Sequence, residues 1–130
     1  KSDEGLTKAC EENGMENIPV AAPSMSDSRL EKLANFGFKH IYAALRAGIT
    51  GTETTIDSAT IEFLKKVSAG SAKIYGGFGI SSGTQAKVVA PYVEAIVAGS
   101  VFVRIITANK NSPKELAQKV QEKALELTLA

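Results

Sequence analysis

Gly76-Gly77-Phe78-Gly79-Ile80-Ser81-Ser82 and, further on, Val97-Ala98-Gly99-Ser100 decide how this chain is read. In each, an apolar run ends in glycine and gives way to a helix start. Ser82 and Gln85 have capping-box spacing, with the serine taking the N–H of the third helical residue and the glutamine reaching back to the cap. Glycine at such a junction lets backbone N–H groups crowd around a ligand, because no Cβ stands in the way. The helix that follows adds unpaired N–H groups and partial positive charge, which suits a phosphate. After Gly99, the run Val101 to Ile106 would bury Arg104 if it prolonged the strand. As a helix capped by Ser100 it instead puts Val101 and Ile105 on one face and turns Arg104 outward.

Outward from these turns the chain alternates. Ser2-Asp3-Glu4 offers a cap and an acidic first turn for a helix that presents Leu6, Ala9 and Cys10 and ends at Asn13-Gly14. Ile18 to Ala22 is a short apolar strand stopped by Pro23. Ser26 or Ser28 caps the next helix, with Leu30, Leu33 and Ala34 inward and Ser28 and Glu31 at capping-box spacing. Lys39 to Leu45 is a second strand. A helix from Asp57 to Ser68 follows, with Ile61, Leu64 and Val67 inward and Gly70 as its stop. Ala72 to Phe78 is the third strand; a helix from Ser82 ends at Pro91, and Val93 to Val97 is the fourth strand. Ser112-Pro113-Lys114-Glu115 starts a last helix through Leu116, Val120, Ala124 and Leu127.

Strict alternation of helix and strand means parallel strands joined by right-handed crossovers. An open doubly wound sheet is one way to arrange four of them, but the Gly-x-Gly-x-x-Gly fingerprint after a first strand is missing. An eight-stranded βα barrel needs about 250 residues and holds phosphate on the turns after its seventh and eighth strands. At 130 residues, with its two glycine turns on its last two strands, this chain has the length and layout of half of one. The expected fold class is therefore α/β, the C-terminal half of a (β/α)8 barrel, as one half-barrel domain over residues 1–130.

Composition excludes several classes. Fifteen basic against 14 acidic side chains leave a net charge of +1, without the basic excess of a nucleic-acid binder. No apolar run has the length of a membrane span, and no signal-peptide pattern opens the chain. A cytoplasmic setting is expected. Cys10 has no partner for an intramolecular disulfide and, with Leu6 one turn before it, reads as a buried helical thiol. The chain opens at Lys1 without a methionine, which points to a truncated or nicked polypeptide.

Taken together, Tyr42-x-x-x-Arg46-Ala47-Gly48-Ile49-Thr50-Gly51, Gly77-Phe78-Gly79-Ile80-Ser81 and Gly99-Ser100-x-x-Val103 resemble, in order and spacing, the C-terminal half of the tryptophan synthase alpha subunit family. That resemblance implies a lyase that cleaves indole-3-glycerol phosphate to indole and glyceraldehyde 3-phosphate, and passes indole to a beta subunit. It implies substrate contacts at Val20, Tyr42, Thr50, Gly51 and Phe78, and phosphate contacts at Gly77, Gly79, Gly99 and Ser100. Thr50 and Gly51 fall in a polar loop, Arg46 to Thr55, expected to act as a mobile lid. Leu45 departs from the polar residue often found there. No cofactor or metal is implied.

The family's acid–base glutamate and its aspartate lie on strands two and three, which this chain does not contain, so no catalytic residue is expected in it. Glu94, at the start of a strand, and Asp57, at a helix cap, are not substitutes. His40 shares the inward face with Tyr42 and Ala44, one layer deeper, and is expected as a hydrogen-bonded interior histidine. The partners expected are a missing N-terminal half-barrel or a second copy of this chain. Two alternatives stand beside this reading: another phosphate-binding barrel enzyme, and a non-catalytic, self-associating half-barrel module.

Overall fold

The computed structural model describes residues 3–45 and 56–128. The elements run α1 (Leu6–Glu12), β1 (Val20–Ala21), α2 (Asp27–Asn35), β2 (His40–Ala44), α3 (Ser58–Val67), β3 (Lys73–Gly77), α4 (Gly83–Val89), a 3-10 turn (Ala90–Tyr92), β4 (Ala95–Val97), α5 (Ser100–Asn109) and α6 (Pro113–Thr128). All three strand pairs are parallel and the sheet order is β1-β2-β3-β4. Sequential order without reversal is that of a barrel wall and not of a doubly wound sheet.

Strand alternation separates the two faces. Ala21, Ile41, Ala43 and Ile74 are buried beneath Leu30 of α2, Phe63, Leu64 and Val67 of α3, and Ala86 and Val89 of α4. Each fully buried aliphatic side chain here is worth roughly 1.5–3 kcal/mol. The other face carries Val20, Tyr42, Tyr75 and Ala95, which the register places in one row. These residues are half-buried or exposed, Val20 by 52%. The helix-covered core thus lies on one side, and the side that would face a barrel axis is left open.

Local signals explain most of the elements. Asp57 caps α3, accepting from the Thr60 N–H at 2.9 Å and the Thr60 hydroxyl at 3.0 Å. The Ser82–Gln85 capping box forms in full at the start of α4. Ser26 is the cap of α2, but without a side-chain cap bond; Ser28 already lies inside the helix, so the Ser28–Glu31 box does not form, and the Ser28 hydroxyl lies 3.4 Å from that of Ser26. In α3 the buried positions are Thr60, Phe63, Leu64 and Val67, with Ile61 only half-buried, because the helix is turned towards α2 as well as the sheet. Gly70 does not stop α3, whose C-cap is Ser68. It lies where a Cβ would come within 2.0 Å of the Ala34 carbonyl oxygen, a close approach that only glycine permits.

Departures from expectation collect at the edges. β1 covers two residues in place of five and β4 three in place of five. Among the described residues each of these strands has a neighbour on one side only. α1 forms, held by the Asp3 carboxylate on the N–H groups of Gly5 and Thr7, but buries none of its residues. Cys10 is half-buried and Leu6 is 55% exposed, so the buried thiol is not found. A helix of a βα repeat packs over the groove between the strands before and after it, and among the described residues α1 has only the one that follows.

Candidate functional site

β2 and β3 pair over five residues, which puts Tyr42 beside Tyr75 and Ala44 beside Gly77. From there the Tyr42 ring leans towards the C-terminal end of the sheet: a Cβ on Gly77 would lie 2.6 Å from the Tyr42 hydroxyl, 2.7 Å from the Val97 carbonyl oxygen and 2.9 Å from the Val97 Cβ. Gly77 is therefore buried under the phenol, and its lack of a side chain is what admits it. Burial raises the Tyr42 phenol above its ordinary value of 10.0, so at neutral pH it is protonated and can donate.

Beyond Gly77 the backbone turns into the left-handed region at two successive residues, Phe78 at φ 86° and Gly79 at φ 92°. For glycine this costs little; for phenylalanine it costs about 1–3 kcal/mol and needs support from the surroundings. Support follows at once. Ile80 is buried, and the Gln85 side-chain oxygen accepts from the Ser81 N–H at 2.8 Å and the Ser82 N–H at 3.2 Å.

On the neighbouring strand Val97 pairs with Gly77, so the chain leaves β3 and β4 side by side, into Phe78–Gly79 and Ala98–Gly99. α5 begins there as a full helix. Its cap is Gly99 and not Ser100: the Gly99 carbonyl accepts from Phe102 at 3.0 Å and Val103 at 3.2 Å, while Ser100 is already helical. The position of a Cβ on Gly99 is open space for 4 Å around. Val101 is buried and Ile105 half-buried on one face, and Arg104 is exposed. The arrangement is two glycine turns at adjacent strand ends, one of them opening a helix, with a phenol and an apolar ring beside them. It can bind an anion through backbone N–H groups and shelter an apolar body next to it.

The remaining sequence-derived positions sort clearly. Val20 lies on the open face, in the same row as Tyr42. Thr50, Gly51 and the rest of the Arg46 to Thr55 loop lie outside the described residues. His40 is at the other end of β2; its Nδ1 donates to the Glu16 carboxylate at 2.5 Å and its ring stacks on Tyr75 at 5.0 Å. It is hydrogen-bonded, but half-buried and not interior, because among the described residues no strand faces it across the axis. Glu94 is exposed at the start of β4 and pairs with Lys73 at 3.3 Å. Asp57 is bound up in its cap, whose N–H and hydroxyl bonds from Thr60 hold the carboxyl below its ordinary value of 3.8. Neither carboxylate reaches the glycine turns as an acid or base. Tyr75 belongs to the site face with no motif to mark it; only its alternation with Gly77 could have placed it inward. Among the described residues no group of three His, Cys, Asp or Glu could hold a metal ion, and no helix is long and apolar enough to cross a membrane.

The family model of the tryptophan synthase alpha chain matches residues 1–130. The chain belongs to that family. It is 37% identical over 129 residues to the tryptophan synthase alpha chain of Helicobacter hepaticus, covering 95% of this chain and 48% of that one. To the alpha chain of Methanosarcina barkeri it is 35% identical over 118 residues, 90% of this chain and 44% of the relative. The chain thus spans about half the length of the curated relatives it matches. In structure it resembles a mutant tryptophan synthase alpha-subunit from Pyrococcus furiosus, with a TM-score of 0.76 at 22% identity over 98% of this chain and 50% of that one. The tryptophan synthase complex of the same organism gives a TM-score of 0.76 at 20% identity. At that identity the likeness speaks for the fold alone: four parallel strands and their helices, corresponding to half of the family's barrel.

Proposed function

We propose that this chain is the phosphate-holding half of a lyase that cleaves indole-3-glycerol phosphate to indole and glyceraldehyde 3-phosphate. The observation that carries the reading is the paired exit of β3 and β4 at Gly77 and Val97, which brings the left-handed Phe78–Gly79 turn beside the start of α5. In this reading Gly77, Gly79, Gly99 and Ser100 surround the phosphate. Val20, Tyr42 and Phe78 form one wall of the indole pocket, and Thr50 and Gly51 belong to a lid. The phosphate takes no part in bond breaking. Its binding fixes the glycerol chain, so that proximity and orientation do part of the work. The cleavage itself requires protonation of the indole ring carbon, loss of the ring N–H proton and removal of a proton from the glycerol hydroxyl, which two positioned carboxylates perform as general acid and base. Those carboxylates come from an N-terminal half-barrel, and the 130-residue chain alone has no lyase activity. Residues 1–130 act as one half-barrel unit that completes its sheet with that half or with a second copy. In the whole enzyme, in the cytoplasm, a beta subunit receives the indole.

Titration with sn-glycerol 3-phosphate tests the anchor. Binding is expected for the chain as it stands and is lost in Gly99→Asp, whose carboxylate fills the open space at Gly99 and repels the anion. Unchanged affinity in that variant refutes the placement of the site.

A further inference from the structure

The turn that leaves β3 is gripped from a second direction by the last helix. Lys123 Nζ donates to the Ser81 carbonyl at 3.1 Å and to Glu126 Oε2 at 2.5 Å. The other oxygen of Glu126 accepts from the Gly83 N–H at 2.6 Å. The carboxylate thus bridges the ammonium and the first N–H of α4, and both of its bonds are charge-assisted, the short and strong kind. The Lys123 side chain is only 22% exposed. Gly83 permits the approach: a Cβ there would lie 3.1 Å from the Glu126 carbonyl oxygen and 3.2 Å from its Cγ. An ordinary surface ion pair would engage its partner alone; this one takes a backbone carbonyl and a backbone N–H of the same turn. α6 also meets α5, where Lys119 Nζ donates to Asn109 Oδ1 at 2.9 Å. One helix therefore ties together the two segments that leave β3 and β4.

We infer that Lys123 and Glu126 are positioning residues for the anion site: they hold Ser81 and Gly83, and through them the Phe78–Gly79 turn, against α6, which is itself tied to the C-terminal end of α5. The inference rests on the phosphate reading of those turns. It also divides the labour between the two helices, since Glu126 already occupies the N–H that opens α4. The anion is left to Gly77, Gly79 and the start of α5.

The test uses the 130-residue chain in whatever assembly it forms. Amide hydrogen exchange at residues 79–83 and titration with sn-glycerol 3-phosphate are read in Glu126→Gln, Lys123→Met and Lys123→Arg, with exchange within α3 as the control for global folding. Losing a hydrogen bond to a charged group is expected to speed exchange at residues 79–83 about tenfold in the first two variants. Exchange in α3 stays unchanged, glycerol 3-phosphate binding weakens several-fold, and Lys123→Arg retains both properties. Where a variant also loosens α3, Gly83→Ala replaces it, because it pushes α6 away without removing either charge. Unchanged exchange at residues 79–83 overturns the clamp. Faster exchange with unaltered affinity overturns the positioning role. Faster exchange in variants of a chain that binds no glycerol 3-phosphate even as wild type upholds the clamp and overturns the phosphate reading instead.

Discussion

A methyl group on Gly77 would meet the Tyr42 hydroxyl at 2.6 Å and the Val97 carbonyl at 2.7 Å, and of these only the phenol can swing away. Gly77→Ala is therefore expected to cost about 1–3 kcal/mol as an overpacking change, read from the denaturant midpoint. It should also weaken glycerol 3-phosphate binding, since Tyr42 must move and the turn that follows moves with it. Tyr42→Phe should not rescue it, because the Val97 backbone stays where it is. Gly70→Ala makes the useful contrast: its Cβ would lie 2.0 Å from the Ala34 carbonyl, between α2 and α3, so stability falls while anion affinity in the folded fraction holds. Of these residues, Gly77 and Gly79 were legible from the order strand, glycine, helix cap. What Gly77 does was not. Its contact with Tyr42 joins two strands, and a local motif carries no record of what sits above it. The cap of α5 falls one residue before Ser100 for a related reason: serine is the commoner cap, but the backbone of Gly99 supplies the carbonyl that starts α5.

At the scale of elements, the central pieces read well and the outer ones did not. β2 and β3 keep nearly their full expected lengths because each is paired on both sides, whereas β1 and β4 shrink where one side is empty. The α3 and α4 starts were visible because Asp57 and the Ser82–Gln85 pair are complete local devices. α1 was visible as a helix but not as an unpacked one, since periodicity says which face seeks cover and not whether cover exists. With no buried residue, α1 is expected to exchange its amides much faster than α3, and to slow when a complementary half supplies the strand and helix beside it. Acid should act on the helix starts. The Glu126 carboxyl is held below its ordinary value of 4.5, first by the Lys123 hydrogen bond and then by the Gly83 N–H, and that of Asp57 below 3.8 by Thr60. For a carboxylate lowered in the folded state, stability is fully present above the ordinary value and is lost as pH falls through the folded one. Thermal midpoints should thus hold down to about pH 4.5 and decline below it. Asp57→Asn and Glu126→Gln should each flatten that decline; an equally steep acid limb in both would place the lost protons elsewhere.

For the molecule as a whole, the open face is the feature the rest must answer to. Among the described residues β1 and β4 each have a single neighbour in the sheet, and Val20 and Val97 on the uncovered side are 52% and 40% exposed. An unpaired parallel edge beside apolar side chains recruits another strand, and a barrel removes edges by closing. At micromolar concentration the chain is therefore expected to sediment as a dimer or larger species. Val97→Lys, which puts a charge into the face to be covered, should shift it towards monomer while leaving the core beneath α2, α3 and α4 intact. The chain alone should release no indole from indole-3-glycerol phosphate. Mixed with a separately prepared N-terminal half of a family member, it should acquire that activity, because the added half would bring two carboxylates to the proposed anchor. Glycerol 3-phosphate should then compete, and Gly99→Asp should abolish the recovered activity without preventing the halves from associating. A stable monomer at these concentrations removes the argument from the open edges. Indole release by the 130-residue chain on its own removes the argument that the chemistry lies in the other half.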